Sequence, residues 1–244
     1  QLYYRLIEPR TTGITSRAGF STISKLGSLT SQFDSGSEHV KLRIKSTDEP
    51  GYLRGRAFVQ FFNSEWHSDV GNHNAAIIAV PPAGVETNIL PEGVWFQMGQ
   101  ANSSDWIEFE VWSEASEHIF APLNTPLVHA VAQNVQFDSQ NILTSRSLES
   151  GFPYALFLPR KQLPPRPESD LFLQRLLQLP FDISPEVKQL AQQIFADCKT
   201  SAEKIDRIQK YFPDHYQYEL GISVPRGKDP ITYFLLEKPN AHCE

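Results

Sequence analysis

The sequence predicts an α+β protein in which a β-rich, sandwich-like domain is followed by a helical segment. Three observations support this fold class. Short apolar runs with a period of two, separated by Gly, Pro, Asn and Ser, recur as far as Leu158. A proline-rich stretch comes next, and two amphipathic helices with clear start signals lie beyond it. Strands that are followed by helices, rather than alternating with them, are typical of α+β proteins.

The first clear strand is indicated where Val40, Leu42 and Ile44 alternate with polar residues. Such alternation is typical of a strand with one solvated face. The run Asp48-Glu49-Pro50-Gly51 then predicts a turn, because Pro fixes φ at the second position and Gly accepts positive φ at the third. A strand over residues 52–62 is expected to follow.

Five further strands are expected in this domain. They cover Ala75–Val80, Val94–Met98, Trp106–Trp112, Leu127–Val135 and Tyr154–Leu158. The large side chains of residues 106–112 cannot all face one way, so we expect that strand to be shifted or covered on both faces. Aromatic residues such as Trp66 usually fill the core of a sandwich, and an aromatic ligand groove is the alternative.

The boundary between the two parts is expected at residues 159–165, where three prolines disfavour a sheet ladder and favour extended geometry. We therefore assign residues 1–160 to the β-rich domain and residues 161–244 to the helical part. Just after the boundary, Asp170–Leu179 predicts either a short helical turn or a loop plug, and both alternatives stay open.

The first long helix is expected to begin at Ser184, with Pro185 in its first turn. Its apolar residues fall on one face, namely Val187, Leu190, Ala191, Ile194 and Cys198. Cys198 is accordingly expected to be a core residue.

The second long helix is expected to begin at a capping box formed by Thr200 and Glu203. Its predicted buried stripe consists of Ile205, Ile208 and Phe212, and the two helices are expected to pack as a hairpin. Beyond them, Tyr216–Leu220 is expected to be extended, and Asp229-Pro230 to begin a short helix that runs through Phe234.

The order of these elements over residues 184–244 resembles the opening of a bacterial transglutaminase-like core, which has a papain-like fold. Members of that family run two helices, a Tyr-rich extended segment and an Asp-Pro-x-x-x-Phe-Leu turn into a Gly-x-Cys-Glu motif. The matching residues here are Tyr216-Gln217-Tyr218-Glu219-Leu220, Asp229-Pro230-Ile231 with Phe234-Leu235, and His242-Cys243-Glu244. Ala241 stands where the family usually has Gly.

The β-rich domain resembles the domain that precedes this core in membrane-anchored members of the family. A Tyr-x-Arg-Gly strand and an aromatic-rich Trp motif carry this second resemblance, at Tyr52-Leu53-Arg54-Gly55 and Trp66. Together, the two resemblances cover most of the chain. They imply that the 244 residues end inside the helical N-terminal part of a truncated transglutaminase-like fold.

The resemblance implies cysteine catalysis, with Cys243 as the nucleophile that forms a thioester by attack on an amide carbonyl. A Cys in the first turn of a helix is activated because the N-terminal amides stabilise the thiolate. The family places its His base and orienting Asp after the Cys, so we expect the 244 residues alone to be inactive and His242 not to be the base. The alternative for Cys243 is a small buried side chain.

The resemblance also implies an extracytoplasmic location, on the periplasmic side of an inner membrane to which the parent is anchored by segments absent from this chain. Protein or peptide is the implied substrate. Cross-linking, proteolysis and deamidation share the thioester step, so the resemblance does not separate them. The alternative function is a binding or scaffolding module whose enzyme core is degenerate.

Composition excludes several other classes of function. The formal net charge of -6 leaves no basic surface for nucleic acid, and the longest apolar run, Ala75–Pro82, is far shorter than a membrane span. Two cysteines cannot build a disulfide scaffold or a four-cysteine zinc site.

No cofactor or metal is expected, because His67 and His73 lie in a Gly- and Asn-containing loop without a recurring ligand spacing. The chain begins at Gln1 and contains only Met98, so we expect a piece of a longer protein. The sequence leaves the oligomeric state open.

Overall fold

The computed structural model describes residues 2–9, 23–25, 38–63, 65–68, 73–85, 90–100, 102–113, 117–149, 152–161, 170–219 and 224–240. Its strands are β1 Leu2–Pro9, β2 Ile23–Lys25, β3 Glu38–Ser46, β4 Leu53–Arg54, β5 Gln60–Phe62, β6 Glu65–His67, β7 His73–Asn74, β8 Ala76–Ile78, β9 Val94–Gln97, β10 Trp106–Ser113, β11 His118–Ile119, β12 Ala121–Pro122, β13 Leu127–Ala130, β14 Gln136–Phe137, β15 Leu143–Thr144 and β16 Tyr154–Pro159. Its helices are α1 Asp170–Leu176, α2 Pro185–Ile194, α3 Ser201–His215 and α4 Pro230–Glu237.

A seven-stranded sheet forms the largest layer, in the order β1-β3-β10-β16-β13-β9-β8. All of its neighbouring strands pair antiparallel. In β3, Leu42 and Ile44 are buried while Arg43 is exposed, so the alternation predicted for this strand is confirmed. The four-stranded sheet β11-β15-β14-β7 supplies Ile119 and Leu143 to the same core cluster.

Strand β10 is covered on both of its faces. Phe109 and Val111 belong to the main core cluster, and Glu110, which points the other way, is also buried. The Glu110 carboxylate accepts a hydrogen bond of 2.8 Å from Lys45 Nζ. This pairing explains how a charged side chain is accommodated in the sheet, and it agrees with the two-sided strand expected from the sequence.

Two of the expected strands are wrong in extent. Residues 52–62 form two short strands instead of one, because β4 pairs with β12 whereas β5 pairs with β6. The expected strand Leu127–Val135 ends at Ala130, and residues 136–137 pair in the four-stranded sheet. In both places the chain passes from one sheet to another, which local alternation does not reveal.

The helix starts are as expected. Ser184 Oγ accepts the amide proton of Val187 at 3.2 Å, and the capping box of Thr200 and Glu203 is present. The expected burial of the α3 stripe is wrong, because Ile205 is 57% exposed and Ile208 38% exposed. Cys198 is a free thiol and only partly buried. Helix α2 contacts both α3 and α4. Of the two alternatives for the segment after the boundary, the helix is observed, as α1 over Asp170–Leu176.

A substitution at Tyr154 tests the packing of the large sheet. Its side chain is fully buried, and its Oη accepts from the amide of Phe120 at 2.8 Å and lies 3.3 Å from that residue's carbonyl oxygen. Tyr154→Phe removes these bonds inside the core and should lower the free energy of unfolding by about 1–3 kcal/mol. Urea denaturation measures the loss. The matched control Tyr52→Phe, at a 97% exposed side chain, should leave the midpoint unchanged, and equal effects of the two changes would contradict the assignment.

The buried ring of His129 should make the stability of the protein depend on pH. Its ring is buried, stacks on Trp95 at 4.1 Å between centroids and leaves no room for a Cβ at Gly93. Burial lowers the pKa of His129, opposed by a hydrogen bond to the Gly93 backbone. As the pH falls, His129 therefore binds a proton in the unfolded chain at a higher pH than it does in the folded chain. The free energy of unfolding then falls as the pH drops below about 6.5, by at most about 1.4 kcal/mol per pH unit.

His129→Phe keeps a ring beside Trp95 but does not titrate, so it should flatten the loss of stability between about pH 7 and pH 5. Thermal or urea unfolding across that range measures the slope. His73→Phe, at an exposed position, serves as the control and should keep the wild-type slope. A slope that is unchanged in His129→Phe would contradict the account.

Candidate functional site

The candidate nucleophile, Cys243, lies outside the described residues, as do its neighbours Ala241, His242 and Glu244. The structure describes the chain up to Asn240, three residues before Cys243. The candidate site is therefore approached through the elements that lead to it, which are α3, the extended segment after it, and α4.

Helix α4 begins at the Asp-Pro pair of the motif. Asp229 Oδ2 accepts from the Thr232 amide at 2.8 Å and from the Thr232 hydroxyl at 2.7 Å. Pro230 occupies the first turn, where a missing amide proton costs no helical hydrogen bond. The sequence placed the end of this helix at Phe234, whereas the helix continues to Glu237. The motif residues Phe234 and Leu235 thus lie in its last turn.

The C-terminal end of α4 is closed by two contacts. Lys238 adopts a left-handed conformation with φ 49° and donates its amide to the Phe234 carbonyl at 3.2 Å. Tyr216 Oη donates to the Leu235 carbonyl at 3.0 Å. The last carbonyls of a helix lack partners within the helix, so Tyr216 acts as a side-chain cap from another part of the chain.

An aromatic cluster joins the end of α3 to α4. The Tyr216 ring lies 4.7 Å from Phe234 and 5.1 Å from Phe212, measured between ring centroids. Lys238 Nζ lies 5.6 Å from the Tyr211 ring and 5.9 Å from the Tyr216 ring, within the range of cation–π attraction. Partial burial, together with Tyr211, raises the pKa of Tyr216 to about 12. Tyr216 therefore stays protonated and able to donate at neutral pH.

A polar contact holds the chain beyond α4. Asn240 Nδ2 donates to Glu219 Oε2 at 2.6 Å. Glu219 belongs to the segment that the sequence predicts to be extended, and Tyr216 at its start has extended dihedrals of φ -129° and ψ 148°. Leu220, the expected end of that segment, lies outside the described residues.

Several described histidines stack on aromatic rings. At the end of α3, His215 stacks on Tyr211 at 4.0 Å, and its Nδ1 lies 2.8 Å from the Tyr211 carbonyl oxygen. His67 stacks on Phe62 at 3.9 Å, whereas His73 belongs to a different sheet. Within the described ranges, no group of three or more His, Cys, Asp or Glu could hold a metal ion.

Three of the residues that carry the resemblance in the β-rich domain lie on small sheets, namely Leu53 and Arg54 in β4 and Trp66 in β6. Arg54 in β4 donates from Nη1 to the Gln140 carbonyl at 2.8 Å. Trp66 in β6 is 37% exposed and lies 4.9 Å from Phe61. By contrast, Trp95 and Trp106 pack against buried residues of the large sheet.

A small cleft that sequence reasoning missed joins the two parts of the chain. It is lined by Phe61 from β5, by residues 180 and 182–184 before α2, and by Asp229, Ile231 and Thr232 at the start of α4. No motif marks the cleft, because its walls come from three separate segments. Phe61 thus places β5 beside the capped starts of α2 and α4.

Comparison with known proteins finds structures of similar fold. No family model matches the chain, and no curated protein matches it. The periplasmic domain of TgpA from Pseudomonas aeruginosa is similar in structure, with a TM-score of 0.56 and 16% identity over 92% of this chain and 72% of that chain. The same domain bound to ethylmercury gives a TM-score of 0.54 and 16% identity over 92% of this chain and 74% of that chain.

In the described part of the chain, no helix has the length and apolar character needed to cross a membrane. The chain has a mixed architecture of sheets and helices, and this fold is similar to that of the structural neighbours. The chain shares the fold of the periplasmic domain of TgpA, a bacterial transglutaminase-like protein.

Proposed function

We propose that this chain is the extracytoplasmic part of a transglutaminase-like cysteine enzyme, with Cys243 as the nucleophile. The observation that carries the proposal is that the similarity to the TgpA periplasmic domain extends over 92% of the chain. Coverage of this extent takes in residues of both the β-rich part and the helical part of the chain. The domain limits proposed from the sequence are 1–160 and 161–244.

The proposed reaction is acyl transfer through a thioester. The Cys243 thiolate attacks the carbonyl carbon of a carboxamide or peptide bond, and a C–S bond forms. The C–N bond then breaks, and the nitrogen leaves as ammonia or an amine after it takes a proton. An amine or water next attacks the thioester and releases the thiol. The choice between amine and water decides whether the outcome is cross-linking or hydrolysis.

The thiolate requires a base and a stabilising environment. In the family, the Cys lies at the start of a helix, where backbone amides can lower the thiol pKa below the free value of about 8.5. The family order places the His base and the orienting Asp after Cys243. We therefore propose that the 244 residues alone do not turn over substrate.

The substrate class follows from the same chemistry. A thioester-forming cysteine that faces the periplasm would act on a protein or peptide amide, and we propose such a substrate here. The periplasmic location is proposed from the structural neighbours, which are periplasmic domains. Attachment to the membrane would come through segments outside these 244 residues.

The proposed nucleophile predicts a distinctive thiol titration. In the intact protein carrying Cys198→Ser, the rate of alkylation by iodoacetamide should rise with a midpoint at about pH 6–7, below the free thiol value of about 8.5. Mass spectrometry should place the label on Cys243. The Cys243→Ser variant in the same background is the control and should show no label.

A midpoint near the free value, or a Cys243 that alkylates only after denaturation, would contradict the proposal. Either result would favour the alternative, a binding or scaffolding module with a degenerate core. A further check uses the 244-residue polypeptide with a glutamine peptide and an amine. We expect no turnover, and turnover that is lost in Cys243→Ala would refute the inactivity of the piece.

A further inference from the structure

We propose that one face of the segment formed by α1 and the residues directly after it docks on the surface of a phospholipid bilayer. This Leu face consists of Leu173, Leu176, Leu177, Leu179 and Phe181. The inference rests on the proposed function for the location of the chain beside a membrane. It does not depend on the chemistry of Cys243.

The Leu face is a dense run of exposed apolar side chains. Leu177 is 79% exposed, Leu179 67% and Phe181 92%, while Leu173 and Leu176 are each 43% exposed. Five of the nine residues from Leu173 to Phe181 are therefore large, apolar and exposed. Large apolar residues on a hydrated surface are usually scattered singly, so a run of this density indicates an interaction surface.

Helical geometry brings three of the leucines together. Residues three and four apart lie on the same side of a helix, so Leu173 is adjacent to Leu176 and Leu177. The last turn extends past Leu176, because the Leu177 amide donates to the Leu173 carbonyl at 3.1 Å. Phe172 is only 8% exposed, so α1 is anchored to the protein through a neighbouring side of the helix and the Leu face points outward.

The charges around the Leu face favour lipid as its partner. Residues 171–181 include one charged side chain, Arg175, and no carboxylate, although the whole chain has a formal net charge of -6. Amphipathic helices that lie in the plane of a membrane combine Leu or Phe on one side with polar and basic residues on the other. Gln174, Arg175 and Gln178 supply the polar side here.

An exposed tryptophan lies near the end of the Leu face. Pro180 and Phe61 line the same cleft, and Phe61 pairs directly with Trp66 between β5 and β6. Directly opposed residues share one face of a sheet, and Trp66 is 37% exposed at 4.9 Å from Phe61. Tryptophan is enriched at the boundary between lipid and water, which suits Trp66 to the rim of a membrane-facing surface.

A second copy of the chain fits this face less well than lipid does. An isologous contact uses the same patch on both subunits, so it would place one Arg175 from each copy in a single interface. Neither copy contributes a carboxylate from residues 171–181 to separate these like charges. A bilayer surface imposes no such opposition, because basic side chains can extend along the lipid boundary toward water and phosphate.

The first test is co-sedimentation of the 244-residue chain with vesicles of phosphatidylethanolamine and phosphatidylglycerol in equal amounts. Leu177→Gln and Phe181→Gln should each lower the partition coefficient about 10-fold, because each removes an apolar side chain from the lipid. The matched controls are Leu123→Gln and Tyr52→Gln, at exposed positions of the β-rich part, and they should leave the coefficient unchanged. The urea midpoint checks that every variant is folded.

Apolar contacts carry the proposed binding, so it should persist when the salt concentration rises from about 0.15 M to about 1 M. Binding that disappears at high salt would overturn the proposal, because charges elsewhere on the chain would then be responsible. The absence of sedimentation with vesicles, or equal losses in the two control variants, would also overturn it.

The second test places a nitroxide on the Leu face of the intact protein, reconstituted in bilayers of the same two lipids. The variant combines Leu177→Cys with Cys198→Ser and Cys243→Ser, so position 177 carries the one thiol of these 244 residues. Electron paramagnetic resonance then compares collisions of the label with oxygen, which concentrates in lipid, and with a nickel chelate, which stays in water.

We expect position 177 to be accessible to oxygen and shielded from nickel, and Leu123→Cys in the same background to show the reverse. A label at 177 that collides freely with nickel would face water, and one shielded from both would face protein, either a second copy or another part of the parent. Each of these results would overturn the proposal. Because the variant lacks Cys243, a failed thiol titration would overturn the proposed enzyme chemistry without changing this result.

Discussion

Strand β16 is covered on both faces and paired along both edges, and the β-rich part of the molecule depends on this burial. Its residues Tyr154–Phe157 are all at most 1% exposed, and the strand pairs with β10 on one side and β13 on the other. Tyr154 reaches across to the Phe120 backbone, so the large sheet is tied to the segment between β11 and β12. Burial on this scale is the main source of folding free energy.

The helical part is held together in a different way. Helices α2, α3 and α4 start at side-chain caps, at Ser184, Thr200 and Asp229. No side chain of α3 is fully buried. The helix contacts α2, and its last turn joins the aromatic cluster around Tyr216. Local contacts, rather than a deep core, therefore define the geometry of the segment that leads to Cys243.

The features that were predictable from the sequence are those with a local cause. The alternation in β3 and the capping box at Thr200 were predictable because each depends on residues close together in the chain. The division of residues 52–62 between two sheets depends on the pairing of Leu53 with Pro122, which lies more than 50 residues further along the chain. The periodicity of α3 indicated an apolar stripe at Ile205 and Ile208 but could not indicate whether anything covers it.

The candidate site likewise has features that the sequence predicts and features that it does not. Its motif and the start of α4 were predictable from the sequence, whereas the contact between Tyr216 and Leu235 depends on how two helices pack. The central claim is that Cys243 forms a thioester, and intact-protein mass spectrometry after incubation with a glutamine-containing peptide tests it most directly. The account predicts an adduct on Cys243 equal to the peptide mass less ammonia, released by hydroxylamine. The absence of that adduct, or its persistence in Cys243→Ala, would contradict the account.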